Sequence, residues 1–582
     1  MTGNLFDKAD EVFGKIKDFI SKHANIFCIL VLLLFGYLFL FLNLGNYRLI
    51  DIDETRYVNI ARAMFFNGNF ITPHLNFEAF LEKPPLFYWM TVFSYKLFGS
   101  VDEFASRFPV ALLAFATVFG TYFFGKKALG SKIYGLVSAM ILLSCIWFGL
   151  FSHIAIMDTG FTAFVTASIY CAVITLFNVK DENKKYFWYL SYLFMGLGVL
   201  QKGLIGVMLP VMVIVLTFIA LNKWKDLIKP VNIIPGVLIF LLVSVPWHIL
   251  AYNANGQAFL DDYFIKQHFA RFLNSSLGLG RKQPFLFFIP VLIAGFMPWT
   301  FSLVSAIIRG IKSLIKDFKA TKSFRQIFSN DTNDRKLLIF ASIYEISILL
   351  FFSISSTKLP TYILPLFPAL ALITGYYWWG YIVDNKFEKG IKISTIVSAV
   401  FFILFGIAGA LALLILTGES LIYAQSADGF RMLMSSWLIV ISLITLLCLI
   451  SKNRSLLFIA NVILMLGVSI ITSGKILGYT TTFGQTELEA YADKAQMVSG
   501  SKLVTFGFSE KYSVLNKFEN KVNFILDADN EGYNGLKTIV LEAKKEGAPV
   551  YLITKKKVEY SPDIMKGFTK LESGQKYELY MK

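Results

Sequence analysis

Residues 51–89 read DIDETRYVNIARAMFFNGNFITPHLNFEAFLEKPPLFYW. The stretch follows the first long apolar run, at 26–44, and is too charged to lie in lipid. Asp51, Asp53 and Glu54 cluster at one end, and Glu82-Lys83-Pro84-Pro85 stand at the other. Ionisable groups held at a membrane face between spans are costly unless they bind something. An ordinary solvated loop is the competing reading, but the density of charged, aromatic and Pro residues argues against it.

The rest of the chain supplies the membrane. Of 582 residues, 56% are hydrophobic and only 16% charged, where a soluble domain carries about a quarter charged. Mean hydropathy is +0.60. Apolar runs long enough to cross a bilayer core recur, near 26–44, 104–124, 133–151, 159–177, 186–200, 203–221, 232–250, 285–308, 337–355, 361–383, 392–417, 433–451 and 455–474. The sequence thus predicts an all-α polytopic membrane protein of about 13 spans over 26–474.

A net charge of +16 would suit nucleic acid, but its distribution reports topology instead. Lys126/Lys127/Lys132, Lys180/Lys184/Lys185, Lys223/Lys225/Lys229, Lys386/Lys389/Lys392, Lys452/Arg454 and the basic 309–336 segment all fall on one side if the spans alternate. The positive-inside rule then predicts a cytoplasmic N-terminus and, with an odd span count, an outer C-terminus. Anionic lipid head groups, opposite in sign, are expected partners of these basic loops. Residues 1–25, Lys-rich and amphipathic without a small-residue cleavage site, predict a cytoplasmic interfacial helix. Cys28, Cys145, Cys171 and Cys448 fall within expected spans as apolar fillers.

Two regions break the membrane pattern. In the outer loop 45–103, Asn67-Gly68-Asn69 ends a helix that runs on from Glu54, and Pro84-Pro85 opens an aromatic segment suited to an interfacial helix. Packed over the membrane mouth, the two would bring Asp53 and Lys83 towards one cavity. The tail, 475–582, alternates like strands at 503–508, 522–526, 538–543 and 549–553, with a helix as the alternative for 536–545 and a hairpin around Ser573-Gly574. It predicts a small extracytoplasmic α/β domain. No GxGxxG or Walker A pattern occurs, so no nucleotide is expected.

Once topology is set, polar groups gather at outer span ends. They are Asp53, Glu54, Glu82, Lys83, Asp158, Lys202, His268, Arg271, Lys358 and Tyr362, most of them near Pro, Gly or Tyr. Lys and Arg bind phosphate, Tyr adds a hydrogen bond, and a carboxylate accepts a proton or orients a sugar. Each has a plainer reading alone: Lys202 and Lys358 as snorkelling cations, Asp158 as a solvated helix end, His268 as a loop histidine. Their joint placement predicts an outward-facing site. Without a cytoplasmic nucleotide module, a transferase there needs a donor already carried across the membrane, which points to a polyprenyl-phosphate sugar.

DETRYVNIARAMFFNGNFITPHLN and FEAFLEKPPLFYW resemble the first periplasmic loop of the lipid A 4-amino-4-deoxy-L-arabinose transferases. These belong to the polytopic, GT-C-type glycosyltransferases that also include the dolichyl-phosphate-mannose protein mannosyltransferases. LQKGLIGVMLP, FIKQHFARF, QPFLFFIPVLIAGFMPW and FFSISSTKLPTYILPLFPALAL are similar to later motifs, so the likeness runs from Asp53 to Leu372. The resemblance implies a multi-pass enzyme of the bacterial inner membrane that transfers a sugar from undecaprenyl phosphate to lipid A or another envelope acceptor, with inversion. It implies Asp53 as the first-loop acid, with Glu54 beside it, and Asp158 as a second acid. It implies Lys83, Arg271 and Tyr362 on the lipid phosphate, with Lys202 and Lys358 in support. Glu82 and His268 match a pair able to bind a divalent metal, zinc; two ligands alone do not define such a site.

Two other classes compete. Protein O-glycosylation would use the same donor with a different acceptor. A lipid or sugar transporter should carry ionisable groups near mid-span, whereas here they crowd at span ends, Glu345 excepted.

Overall fold

Long apolar segments fold as helices because only then is every backbone group paired without water. The structure, a computed structural model, describes residues 24–50, 53–75, 78–270, 283–321, 332–355, 357–412, 428–450, 453–477, 485–498, 500–506, 522–525, 530–556, 560, 565–574 and 577–582. The expected interfacial helix over 1–25 lies almost wholly outside them. Among the described residues, seven helices are long and apolar enough to cross a membrane, or eight if one bent pair is a single span.

The expected count of thirteen is not confirmed by the described residues, in which several apolar segments form shorter or broken helices. Hydropathy counts apolar residues, whereas the backbone decides how far each helix runs, with Pro or Gly at some of the breaks. Asn25–Phe41, Lys132–Ser144 and Ile205–Ala220 are apolar but short. Phe285–Gly295 and Thr300–Lys319 meet at 118°, with Pro298, which lacks a donor, in the break. The segment expected at 361–383 starts as the 3-10 turn Pro360–Leu366 and becomes the α-helix Phe367–Ile382. Asp181–Lys202 and Ile205–Ala220 stay separate because Gly203 turns at φ +86°, a conformation that favours glycine.

Helix Asp53–Asn67 stops where Gly68 adopts φ +69°. A two-stranded antiparallel ribbon, β1 (His74–Leu75) and β2 (Glu78–Ala79), leads to helix Leu86–Phe98. The two helices bury one apolar face between them: Val58, Ala61 and Met64 pack with Phe87, Val92 and Tyr95. Helix Glu103–Leu129 begins at Asp102, whose carboxylate accepts from the Ala105 N–H at 2.8 Å.

The tail carries a five-stranded sheet in the order β4-β3-β5-β7-β6. β3 (Lys502–Phe506) runs parallel to β4 (Val522–Ile525) and β5 (Val550–Lys555). β6 (Thr569–Ser573) and β7 (Tyr577–Met581) form the hairpin expected around Ser573-Gly574. Strand alternation divides the apolar residues between two layers. Val504, Phe506 and Leu552 meet Leu536 and Ala543 of helix Asn530–Glu546, while Leu503, Ile553 and Leu579 meet Leu488 and Tyr491 of helix Gln485–Gln496. The run 538–543, read first as a strand, is part of that first helix: Leu536, Ile539, Val540 and Ala543 recur at helical spacing.

Candidate active site

The site is assembled on a buried ion pair. Glu54 and Arg107 have no exposed side-chain surface. Glu54 Oε1 accepts from Arg107 Nε and from the Ala155 N–H, both at 2.7 Å. Glu54 Oε2 accepts from Arg107 Nη2 at 3.0 Å and from the Ile50 N–H at 2.6 Å. Arg107 Nη1 donates to the carbonyls of Leu44 and Tyr47, and Nη2 to that of Arg48. Its guanidinium also lies 3.8 Å from the Tyr47 ring centroid. A charge pair this deep is tolerable only because its lone pairs and protons are satisfied. Both Glu54 oxygens are thus committed to holding segments 44–54 and 155 together. Glu54, expected beside Asp53 as a second acid, is thus found with both carboxylate oxygens hydrogen-bonded inside the fold.

Asp53, the preceding residue, faces outward. Its side chain is 56% exposed and lies 4.0 Å from Arg56 Nη1, one helical turn on. Beyond Arg56 comes Tyr57, whose ring meets Phe87 edge-on at 5.9 Å. Burial pushes the Tyr57 phenol far above its ordinary range, and the carboxylates of Asp53 and Asp158 add to that while Arg56 opposes it. Those two acids therefore sit within electrostatic reach of one phenol, along with Tyr362. The neighbouring Tyr88 hydroxyl is buried without a hydrogen-bond partner among the described residues.

The second acid belongs to a pair. Asp158, in the first turn of helix Met157–Ile174, receives Lys202 Nζ at 2.5 Å, with the two side chains 14% and 13% exposed. Lys202 ends helix Asp181–Lys202, and Gly203 lets the chain turn away just beyond it. Lys202 Nζ also lies 4.8 Å from the Tyr362 ring centroid and 5.1 Å from that of Phe161. Trp147 fixes the turn bearing Tyr362 by donating from Nε1 to the Pro360 carbonyl at 3.2 Å. Lys202 thus joins Asp158 to the Tyr362 ring at one end of the bundle, with Tyr57 in electrostatic reach of Asp158, Asp53 and Tyr362.

Other expected residues stand differently. Lys358 is buried and donates to the carbonyls of Ser355, at 2.6 Å, and Gln283, at 3.1 Å. That geometry staples two segments together and commits two of the three ammonium donors of Lys358 to backbone carbonyls. Lys83 and Glu82 lie half-buried in the turn before helix Leu86–Phe98. Arg271 and the His268 side chain lie outside the described residues. Among the described residues no three His, Cys, Asp or Glu side chains converge as a metal site requires; the His268 side chain, the expected partner of Glu82, lies outside them.

Sequence reasoning passed over Arg56, Tyr57, Tyr88 and Arg107. Arg56 and Tyr57 had a local signal, since they stand three and four residues after Asp53 on one helix face. Arg107 had none, because its partner is 53 positions away.

This architecture and cluster define a polytopic membrane fold of the GT-C type. It aligns with ArnT from Cupriavidus metallidurans, solved bound to undecaprenyl phosphate, at TM-score 0.74 and 20% identity over 96% of this chain and 98% of that one. Residues 82–250 match the family model described as dolichyl-phosphate-mannose-protein mannosyltransferase. An uncharacterised protein of Aquifex aeolicus is 31% identical over 57% of this chain. The undecaprenyl phosphate-alpha-4-amino-4-deoxy-L-arabinose arabinosyl transferase of Erwinia tasmaniensis is 27% identical over 69%. The matches span 60% of the Aquifex protein and 68% of the Erwinia one. By sequence and fold together, the chain resembles the lipid A 4-amino-4-deoxy-L-arabinose transferase-like family, relatives of the protein mannosyltransferases.

Proposed function

We propose that this protein is an inverting glycosyltransferase that moves a sugar from undecaprenyl phosphate to an envelope acceptor, lipid A, on the outer face of the bacterial inner membrane. The observation that carries this reading is the Asp158–Lys202 pair under Tyr362, adjoining Asp53, Arg56 and Tyr57. It gathers cations, phenols and acids at one end of a membrane bundle, as transfer from a lipid phosphate demands.

In the reaction, an acceptor oxygen bonds to the anomeric carbon while the bond from that carbon to the phosphate oxygen breaks. The electron pair leaves on the polyprenyl phosphate. Lys202, held by Asp158, stabilises the charge developing there, and Tyr57, kept neutral by burial, donates a hydrogen bond. Lys83 and Arg271 join them by the family resemblance. Removing one such preorganised contact costs about 10²–10³ in rate. Asp53 takes the proton if the acceptor is a hydroxyl; with an ionised lipid A phosphate no proton is removed, and Asp53 orients the sugar. The likeness of residues 82–250 to protein mannosyltransferases favours a protein hydroxyl as the second acceptor to test.

The deciding experiment is mass spectrometry of lipid A and of envelope proteins from cells with and without the gene. A sugar mass lost from lipid A supports the proposal; loss confined to proteins moves it to the second acceptor, and no change in either overturns it.

A further inference from the structure

A second concavity lies away from the cluster just described. Helices Glu103–Leu129 and Asp181–Lys202 both pack on helix Met157–Ile174, which leaves a groove floored by that helix. Its volume is about 810 Å³, within the range of sites that hold lipophilic molecules. The walls are apolar and aromatic, with Leu113, Phe123, Phe164, Phe187 and Phe194. At one end stand Lys126, Lys127 and Lys132. Among the described residues no carboxylate pairs with any of the three, and the adjacent Asp181 and Glu182 are held by Lys184 and Lys180.

The groove has a length and an end. From Leu113 to Lys127 along one helix is about 21 Å at the helical rise. One leaflet of a bilayer offers about 15 Å of hydrocarbon plus its headgroup layer. Midway, Gly120 leaves the wall bare, since a Cβ added there would meet nothing within 4 Å. Beyond Leu113, the helix packs closely at Gly160, two residues from Asp158, where an added Cβ would lie 3.1 Å from Leu113 Cδ1 and 2.6 Å from Gln201 Nε2.

We propose that this groove binds an anionic phospholipid from the leaflet at its lysine end. One acyl chain would lie along Gly120 and the phosphate headgroup among Lys126, Lys127 and Lys132. An apolar trough one leaflet long takes an acyl chain, and three clustered ammonium groups without carboxylate partners select a negative headgroup. The groove is independent of the transfer reaction, and its occupant would strengthen the seam between three helices, one of which carries Asp158 and another Lys202.

The test uses the full chain, delipidated in detergent and titrated with phosphatidylglycerol or with phosphatidylcholine of the same acyl chains, read by native mass spectrometry. Phosphatidylglycerol should bind about tenfold or more tightly than phosphatidylcholine. The triple variant K126Q/K127Q/K132Q should bind the two lipids alike, and Gly120→Trp, which fills the trough, should lose the tight adduct. The melting temperature of each variant in lipid-free detergent checks that it folds; Gly120→Leu replaces the tryptophan variant if that one does not. Equal binding of the two lipids by the unmodified chain, or a tight phosphatidylglycerol adduct that survives both folded variants, overturns the proposal. So does displacement of phosphatidylglycerol by an equimolar amount of undecaprenyl phosphate, which would assign the groove to the polyprenyl lipid.

Discussion

Glu54 and Arg107 stand 53 residues apart and join through two hydrogen bonds, of 2.7 and 3.0 Å, with no side-chain surface exposed. The pair ties the start of helix Asp53–Asn67 to helix Glu103–Leu129 and to the Ala155 backbone. Asp53, one residue earlier, is thereby aimed away from the core.

Removing either partner leaves an uncompensated buried charge. Arg107→Ala or Glu54→Ala should destabilise the protein by about 3–5 kcal/mol, seen as a large fall in melting temperature in detergent. Asp53→Asn should leave that temperature within a degree or two. If Glu54→Ala melts like the unmodified chain while losing transfer, Glu54 is a chemical group after all.

Asp53→Asn keeps shape and removes charge, so it should abolish transfer to a hydroxyl acceptor, which needs a base. With an ionised phosphate acceptor the loss should be smaller, because only orientation of the sugar suffers. Assaying the variant on both acceptors measures the difference; full activity on both would rule out any role for Asp53.

Lys202→Ala and Asp158→Asn should each lower transfer by about 10²–10³. Because Asp158 acts through Lys202, the double variant should be little worse than either single one. Additive losses in that cycle would show that the two groups act separately.

Burial raises the Tyr57 phenol above its ordinary range, so in the proposed reaction it acts as a hydrogen-bond donor. Tyr57→Phe should reduce transfer by one constant factor between pH 7 and pH 9. A factor that changes across that range would mean that Tyr57 ionises in the working enzyme.

Lys83→Ala and Arg271→Ala should abolish transfer with expression intact, whereas Lys312→Ala, an exposed cation in helix Thr300–Thr321, should be tolerated. A periplasm-active reporter fused after Lys582 should be active, and one inserted at 322–331 inactive. The opposite pattern would place the candidate site in the cytoplasm.

Composition and local order determined that this is a helical membrane protein, where helix Asp53–Asn67 stops, and that Asp53, Asp158, Lys202 and Tyr362 are the groups to watch. Those features follow from hydropathy, from glycine at positive φ, and from ionisable residues placed where lipid would penalise them. Only the tertiary structure separated the surroundings of ionisable residues that look equivalent in the sequence. Adjacent acids look alike in a string, yet Glu54 turns inward to Arg107 while Asp53 stays half-exposed beside Arg56. Lys202 and Lys358 both end apolar segments, yet one meets a carboxylate and the other two carbonyls. The span count also depended on where each helix breaks in space. Partner identity depends on contacts between residues tens or hundreds of positions apart, and the local pattern of a sequence carries no trace of them.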